Sequence, residues 1–186
     1  VLGIDTDVGK TVATGLLAKS VQDNSIKVIT QKIVQTGCED ISDDIVYHRR
    51  IMGIELTDDD RRGLTCPYIF KEPCSPHLAA KLENQIIETD KITKTTNQLQ
   101  NQYDLVLLEG AGGLHVPLSE RTSLIEYVAE QRYPVILVSS NKVGSINHTI
   151  LSLEALASRK IDLFGIIYNR FDDVNAMVTR DSKEIF

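Results

Sequence analysis

Short apolar runs alternate along the chain with stretches in which apolar residues recur every three or four positions. The runs have the length of strands, and they are Val1–Gly3, Lys27–Gln31 with Ile33–Val34, Asp104–Leu108, Pro134–Ser139 and Phe164–Tyr168. The periodic stretches predict helices at Thr11–Ser20, Ile41–Met52, Leu124–Gln131 and Ile146–Arg159. In the first of these helices we expect Val12, Leu16 and Leu17 to face inward.

Strands that alternate with helices are typical of right-handed crossovers in a parallel sheet. No repeat, low-complexity tract or linker interrupts the pattern, and 186 residues is an ordinary length for one domain. The sequence therefore predicts an α/β fold, a single domain over residues 1–186 with a mainly parallel sheet and helices on both faces. Only Val1 and Leu2 precede Gly3, so we expect the domain to begin a few residues before Val1.

Composition narrows the classes of partner. A net charge of −6 argues against general affinity for nucleic acid or an anionic membrane, since both require a basic surface. No apolar run approaches the roughly 20 residues that span a bilayer, and the first residues do not have the form of a signal peptide. Cys38, Cys66 and Cys74 form neither a CxxC pair nor an even set. Reduced thiols and a cytoplasmic location are expected.

The segment Gly3–Ala13 predicts a phosphate-binding loop that leads into a helix. Backbone N–H groups of such a loop surround the phosphates of a nucleotide, and the helix N-terminus adds positive potential. Lys10 would contact the terminal phosphates, and the Thr11 hydroxyl would bind the accompanying Mg²⁺. Five residues rather than the usual four separate Gly3 from Gly9, so a strand-to-helix turn without a ligand is the alternative.

Polar residues also follow three of the predicted strands, and ligands of such sheets bind at the carboxyl ends of the strands. Lys32, Gln35 and Thr36 follow one strand, Glu109 and the turn Gly110–Gly113 follow another, and Asn169 follows a third. Glu109 stands where phosphate-loop enzymes keep a carboxylate that helps to hold Mg²⁺. Lys32 would bring a second cation to the phosphates, unless it is a surface lysine.

A second carboxylate could come from the start of the helix at Ile41–Met52. Asp43 and Asp44 both lie there, and either could serve as a metal ligand. Acidic residues in a first helical turn are also favoured by the helix dipole alone, so these two can equally be capping residues.

These segments together resemble the dethiobiotin synthetase family. The resemblance rests on five motifs in order: DTDVGKT at 5–11, KIVQTGC at 32–38, SPHLAA at 75–80, EGAGGLHVPLS at 109–119 and KVGSINHT at 142–149. The five-residue gap before Gly9 is usual in this family. The resemblance implies an ATP- and Mg²⁺-dependent ligase that uses CO₂ to close the ureido ring of 7,8-diaminononanoate in biotin synthesis. It also implies a homodimer with the substrate site at the subunit interface.

The resemblance assigns roles by position in the motifs. Lys32 would be the catalytic lysine between the substrate carbamate and the γ-phosphate, Lys10 would neutralise the β- and γ-phosphates, and Thr6 would lie near the diamine or the transferred phosphate. The magnesium set would be Thr11, Glu109 and one of Asp43 and Asp44. Asp44 is favoured because the apolar Ile45 follows it.

The remaining implied contacts are with nucleotide and substrate, with Asn169 at the adenine ring. The implied nucleotide-binding residues are Asp7, Val8, Gly9, Lys10, Thr11, Val12, Asp44, Glu109, Gly110, Ala111, Gly112, Asn169 and Arg170. The implied substrate residues are Thr36 and the segment that receives the substrate carboxylate, Lys142, Val143, Gly144, Ser145, Ile146 and Asn147.

The sequence departs from the family pattern in two places, and two other families are alternatives to it. The family has proline after the catalytic lysine, where this chain has Ile33, and it completes its adenine pocket beyond the last residue here. A partition- or positioning-type regulatory ATPase would carry an extra loop lysine where this chain has Asp5. A cobyrinate-type ATP-dependent amide synthetase would add a glutamine-hydrolysing domain, which 186 residues do not accommodate.

Overall fold

The computed structural model describes residues 1–170, and it confirms the α/β fold. The strands are β1 Leu2–Gly3, β2 Val28–Lys32, β3 Gln35–Thr36, β4 Ile69–Phe70, β5 Leu105–Glu109, β6 Val135–Ser140 and β7 Leu163–Asn169. The helices are α1 Lys10–Asp23, α2 Asp43–Met52, α3 Asp58–Arg61, α4 Pro76–Leu82, α5 Thr89–Gln100, α6 Leu124–Gln131 and α7 Ser145–Ser158. The part of the single-domain prediction that falls on residues 171–186 lies outside the described residues.

Every strand pair in the described part of the chain is parallel. β2 pairs with β5, β1 and β7 flank β6, and the short strands β3 and β4 pair with each other. The Val1 nitrogen donates to the Leu108 carbonyl oxygen at 2.6 Å, and the Gly110 N–H donates to the Val1 carbonyl oxygen at 3.0 Å. These bonds place β1 beside β5, so the carboxyl ends of β1, β2 and β5 meet at one edge.

Helices cover both faces of the sheet. Successive side chains of a strand point to opposite faces, and Leu107 and Leu108 of β5 contact different apolar clusters. Leu107 packs with Ala18 of α1 and Met52 of α2, whereas Leu108 packs against the larger cluster that contains Ile92 of α5. Helices α1 and α2 therefore lie on one face, and α5 lies on the other.

The inward face of α1 differs from the expectation. Val12 and Leu16 are 41% and 55% exposed, so the prediction that they face inward is wrong. The buried positions are instead small or polar, and they are Lys10, Ala13, Thr14, Gly15 and Ala18. The physical reason is the closeness of α2. A Cβ atom built on Gly15 would lie 2.8 Å from Ile51 Cδ1, which leaves no room for a large side chain.

Other differences lie at strand ends and in the polar middle of the chain. β2 includes Lys32, and Ile33–Val34 lie outside it. Leu105 at the start of β5 is 36% exposed, so burial along this strand begins after its first residue. Five elements had no apolar signal strong enough to predict them from periodicity: β3, α3, β4, α4 and α5. No helix within residues 1–170 has both the length and the apolarity to cross a membrane.

The close α1–α2 contact gives a stability prediction. Gly15→Val should lower the free energy of unfolding by about 1–3 kcal/mol, because the new side chain overlaps Ile51 and must push the helices apart. Leu16→Val is the matched control, since it introduces the same β-branched residue at the exposed neighbouring position. Urea unfolding followed by circular dichroism measures both, and equal destabilisation of the two variants would contradict the packing described for α1.

Candidate active site

The cleft at the carboxyl edge of the sheet is built around residues 4–9, which connect β1 to α1, and around the start of α1. Its volume is about 510 Å³. The lining residues are Thr6, Asp7, Gly9, Lys10, Thr11, Val12, Lys32, Val34, Gln35, Thr36, Asp44, Glu109, Ala111 and Gly112. The Lys10 ammonium donates to the Asp5 carbonyl oxygen at 2.7 Å, so the side chain curls over the loop. Residues from four distant segments of the chain thus converge on one cleft.

Three oxygen-bearing side chains meet at the start of α1. The Thr11 hydroxyl lies 3.0 Å from Asp44 Oδ1 and 3.2 Å from Glu109 Oε1. Asp44 is held there because Ser42 caps α2 and places Asp44 in its first turn. Asp43 is exposed and does not line the cleft. The structure therefore brings together Thr11, Asp44 and Glu109 and leaves Asp43 out.

Lys32, at the end of β2, points into the same cleft as Lys10. Its ammonium lies 2.5 Å from Asp44 Oδ2 and 2.7 Å from Glu109 Oε1, and it also donates to the Gly110 carbonyl oxygen at 3.1 Å. All three N–H donors of the ammonium thus face acceptors. Lys32 is buried, so the alternative of a surface lysine is wrong.

Electrostatics keep this cluster charged. Burial opposes ionisation of Glu109, but the Lys32 ammonium and the hydrogen bond with His48 outweigh it and hold the pKa of Glu109 well below its ordinary value. Burial likewise opposes charge on Lys32, yet Glu109 and Asp44 raise its pKa. For Lys10, burial and the nearby charge of Lys32 lower the pKa to about 8. An added anion in this cleft would therefore meet two cationic side chains and stabilise the charge on Lys10.

His48 is a functional candidate that the sequence reasoning missed. It lies on α2 one turn after Asp44, fully buried, with Nε2 2.8 Å from Glu109 Oε2 and Nδ1 3.0 Å from Thr30 Oγ1. The signal was present in the spacing, since residues four apart on a helix share a face. A histidine four residues after a candidate metal carboxylate thus points to the same site.

A buried ion pair stands behind His48. Arg49 donates to Asp60 Oδ2 through Nε at 2.9 Å and to Asp60 Oδ1 through Nη2 at 2.7 Å. Its Nη1 donates to Thr30 Oγ1 at 2.7 Å. Thr57 and Thr65 also donate hydrogen bonds to the Asp60 carboxylate. Polar contacts therefore connect Asp60 to Glu109 through Arg49, Thr30 and His48.

Ile33 occupies the place where the family pattern has proline, and its backbone N–H makes a hydrogen bond that proline could not make. The Ile33 N–H donates to the Glu109 carbonyl oxygen at 3.0 Å, which extends the β2–β5 ladder by one bond. Proline has no N–H and could not make this bond. The departure thus adds a backbone tie between the strand that carries Lys32 and the strand that carries Glu109.

The predicted adenine and carboxylate residues lie around the rim of the phosphate loop. Asn169 Nδ2 donates to the Val8 carbonyl oxygen at 3.0 Å, and Lys142 Nζ donates to the Asp7 carbonyl oxygen at 3.0 Å. Val143 is 99% exposed, and Gly144 caps α7 with a left-handed conformation. Among the other predicted residues, Ser145 is buried, Ile146 is half-buried, and Asn147 and Arg170 are exposed.

A second cavity of about 600 Å³ adjoins the loop at Asp5. Most of its wall comes from the turn after Glu109 and from α7, and its lining residues are Ile4, Asp5, Gly113, Leu114, His115, Val116, Pro117, His148, Leu151 and Ser152. His148 Nδ1 lies 3.7 Å from Asp5 Oδ2 across this cavity. The cavity combines an apolar wall with a polar end beside the phosphate loop.

Comparison with known proteins identifies relatives over almost the whole chain. A family model described as an AAA domain matches residues 1–184. The ATP-dependent dethiobiotin synthetase BioD 2 of Pasteurella multocida is 51% identical over 98% of this chain and 86% of its own length. BioD 2 of Haemophilus influenzae is 51% identical over 98% of this chain and 96% of its own length. BioD of Chlorobaculum tepidum is 50% identical over 98% of this chain and 77% of its own length.

Solved structures with low sequence identity share the fold. The kinase domain of the Escherichia coli tyrosine kinase ETK superposes with a TM-score of 0.55 at 16% identity, over 94% of this chain and 67% of that domain. A ParA family ATPase from Chlorobium tepidum gives a TM-score of 0.55 at 15% identity, over 99% of this chain and 78% of its own. At such identity the likeness concerns the fold alone.

The buried pair Arg49–Asp60 yields a prediction on acid stability. Burial opposes ionisation of Asp60, but Arg49 holds its pKa below the ordinary value, so the unfolded chain binds more protons in acid. The stabilisation is therefore complete above the ordinary aspartate pKa and is lost as the pH falls toward the lowered one. Asp60→Asn should cost about 3–5 kcal/mol at pH 7 because it leaves Arg49 buried and unpaired.

Asp58→Asn is the control for this prediction, since the Asp58 side chain is exposed two residues away. Urea unfolding at pH 7 and pH 3 measures both variants. We expect the Asp60 variant to lose less stability than the parent protein on acidification, and the Asp58 variant to follow the parent. An Asp60 variant as stable as the parent at pH 7 would contradict a paired buried charge.

Proposed function

The chain belongs to the ATP-dependent dethiobiotin synthetase family and is an ATP-dependent ligase of biotin biosynthesis, and from this premise we propose the reaction it performs. It carboxylates 7,8-diaminononanoate with CO₂ and closes the ureido ring to give dethiobiotin, with ATP converted to ADP and phosphate. The observation that carries the proposal is the convergence of Lys10 and Lys32 on one cleft.

The proposed chemistry requires two anions to approach each other. One amine of the substrate forms a carbamate with CO₂, and the carbamate oxygen attacks the γ-phosphate of ATP to give a carbamic–phosphoric anhydride. The second amine then attacks the anhydride carbon, closes the ring and expels phosphate. Such phosphoryl transfer depends on charge neutralisation and alignment. Lys10 neutralises the β- and γ-phosphates, Lys32 bridges the γ-phosphate and the carbamate, and Thr6 and Thr36 contact the reacting groups from the cleft wall.

The oxygen donors at the start of α1 fit Mg²⁺. Thr11, Asp44 and Glu109 provide one hydroxyl and two carboxylates, and hard divalent cations prefer oxygen ligands. Within residues 1–170 no three His, Cys, Asp or Glu side chains are grouped to hold a metal by themselves. Mg²⁺ is usually bound jointly by one or two carboxylates, nucleotide phosphates and water. When bound, the ion would supply positive charge at the phosphates.

The nucleotide lies, in this proposal, along the loop and the rim above it. Asp7, Val8, Gly9 and Val12 surround the phosphates together with Lys10 and Thr11. Gly110, Ala111 and Gly112 form the opposite wall, and Asn169 and Arg170 lie toward the base. The Asn169 amide has two donors and one acceptor, of which one donor reaches the Val8 carbonyl oxygen. The remaining donor and the acceptor of this amide suit a purine edge, which both accepts and donates hydrogen bonds.

The substrate carboxylate would bind at Lys142–Asn147, where α7 begins with backbone N–H groups. We propose that this segment acts across a homodimer interface. The almost complete exposure of Val143 supports this arrangement, because an apolar side chain gains from burial against a partner subunit. The second cavity, with Leu114, Val116 and Leu151 in its wall, suits the aliphatic part of a long diamine.

Production of dethiobiotin tests the proposed function directly. The protein incubated with diaminononanoate, bicarbonate, Mg²⁺ and ATP should form a product of the mass of dethiobiotin, measured by mass spectrometry. Lys32→Gln should lower turnover at least about 100-fold and change the Kd for ATP little, since Lys32 acts on the transferring group. Lys10→Gln is the matched comparison, and it should weaken ATP binding itself.

Absence of product with the parent protein would contradict the proposal, provided that ATP binding is intact. ATP hydrolysis stimulated by DNA or lipid instead of diamine would favour a regulatory ATPase. Normal turnover in Lys32→Gln would remove that residue from the catalytic set.

The choice between the two neighbouring aspartates gives a second prediction. Asp44→Asn should raise the Mg²⁺ concentration needed for half-maximal nucleotide binding by about tenfold or more, because one carboxylate ligand is lost. Asp43→Asn removes the same charge one residue away on the exposed side of α2, and it should leave the requirement unchanged. Isothermal titration with ADP at several Mg²⁺ concentrations distinguishes them. A larger effect at Asp43 would reverse the assignment.

A further inference from the structure

His48 takes no part in the proposed reaction, yet it touches a residue that does. Its imidazole is fully buried, and its Nε2 lies 2.8 Å from Glu109 Oε2. A buried side chain without access to the cleft cannot exchange protons with a substrate there. Its effect on the site must therefore pass through Glu109.

The two oxygens of Glu109 have separate surroundings. Oε1 faces Thr11 and Lys32 at 3.2 Å and 2.7 Å, on the side of the cleft. Oε2 faces only His48 among the hydrogen bonds of the described residues. A carboxylate at the end of a flexible side chain rotates readily unless both oxygens are held. The hydrogen bond at Oε2 thus fixes the plane of the carboxylate and keeps its other oxygen turned toward Thr11.

Donor and acceptor counting fixes the direction of the hydrogen bond between His48 and Glu109. An ionised carboxylate only accepts hydrogen bonds, so His48 Nε2 must donate to Glu109. Arg49 carries donors alone, so Thr30 Oγ1 accepts from Arg49 Nη1 at 2.7 Å. The same Thr30 oxygen lies 3.0 Å from His48 Nδ1. Both ring nitrogens are thus held, and the hydrogen on Nε2 faces Glu109.

The Arg49–Asp60 end of this series of hydrogen bonds is held rigidly. Two bonds from Asp60 hold the Arg49 guanidinium, at 2.9 Å and 2.7 Å, and both side chains are buried. Because both oxygens of Asp60 hold the guanidinium, its third contact, at 2.7 Å, holds Thr30 Oγ1 beside the ring. The imidazole orientation is thereby determined by groups that do not line the cleft.

We propose that His48 is a positioning residue, which holds Glu109 Oε1 toward the ion site through the relay Asp60–Arg49–Thr30–His48. The proposal rests on the proposed function only in assigning Glu109 to Mg²⁺. Outer contacts of this kind orient ligands in metal sites, and their loss costs about 10–100-fold in metal affinity or activity.

Nuclear magnetic resonance of the nucleotide-free protein tests the relay without any turnover. The side-chain ¹⁵N shifts of His48 should show a hydrogen on Nε2, whereas a ring with its hydrogen on Nδ1 alone would overturn the proposal. Thr30→Val should shift or broaden the ring signals, because the hydroxyl that holds Nδ1 is lost. Thr30→Ser should restore the parent signals.

Metal dependence of ADP binding tests the consequence for Glu109. His48→Phe removes both ring hydrogen bonds, and it should raise the half-saturating Mg²⁺ concentration about tenfold or more. Its Kd for ADP without Mg²⁺ should stay within about twofold of the parent value, since no phosphate contact is removed. His48→Gln keeps an N–H directed at Glu109 and should recover most of the loss.

A purely structural role for His48 predicts a different result. Thermal stability would then fall in His48→Phe while the Mg²⁺ requirement stayed unchanged, and that outcome would overturn the proposal. If His48→Phe does not fold, Thr30→Val serves in the same titration and should show the smaller loss in the same direction. An unchanged Mg²⁺ requirement in Thr30→Val would then count against the relay.

These measurements distinguish a failure of the His48 relay from a failure of the proposed ligase function. If the parent protein makes no dethiobiotin but the variants change Mg²⁺-dependent ADP binding as expected, the relay stands and the substrate assignment fails. If dethiobiotin is formed and His48→Phe binds Mg²⁺ and ADP like the parent, the relay fails and the ligase assignment stands.

Discussion

The ionised carboxylate of Glu109, fully buried at the end of β5, is the constraint on which the site depends. Removing a carboxylate from water costs several kcal/mol unless charge and hydrogen bonds replace the lost hydration. Lys32 from β2, Thr11 from α1 and His48 from α2 provide that replacement. The three elements must therefore meet at one point, and the arrangement that keeps Glu109 charged is also the one that assembles the cleft.

Much of the fold and of the cleft could be predicted from local sequence. Strands such as β6 and helices such as α6 have strong apolar patterns, and the phosphate loop has its own glycine and lysine spacing. Because the carboxyl ends of parallel strands lie at one edge of the sheet, the sequence was enough to place Lys32 and Glu109 together. Asp44 could be favoured over Asp43 from the family pattern, but only the cap at Ser42 shows which of the two turns inward.

What the sequence did not reveal arises from contacts between distant segments. The inward face of α1 is made of small or polar residues, because the short distance to α2, and not hydrophobicity, determines which side chains fit there. Helix α5 is rich in threonine, and Thr95 and Thr96 become buried by bonding to Gln31. His48 and Arg49 look like ordinary polar helix residues until Thr30 and Asp60 are placed opposite them. Buried polar partners of this kind carry no periodic signal.

The close contact of α1 with α2 at Gly15 has a consequence for transplanting this site into other proteins. Thr11 lies in the first turn of α1 and Asp44 in the first turn of α2, so the interhelical distance sets the distance between the two side chains. A designer who copied only the loop and the carboxylates onto a different scaffold would not keep that distance. Gly15, which has no side chain and lies about one turn after Thr11, belongs to the minimal set that such a graft must include.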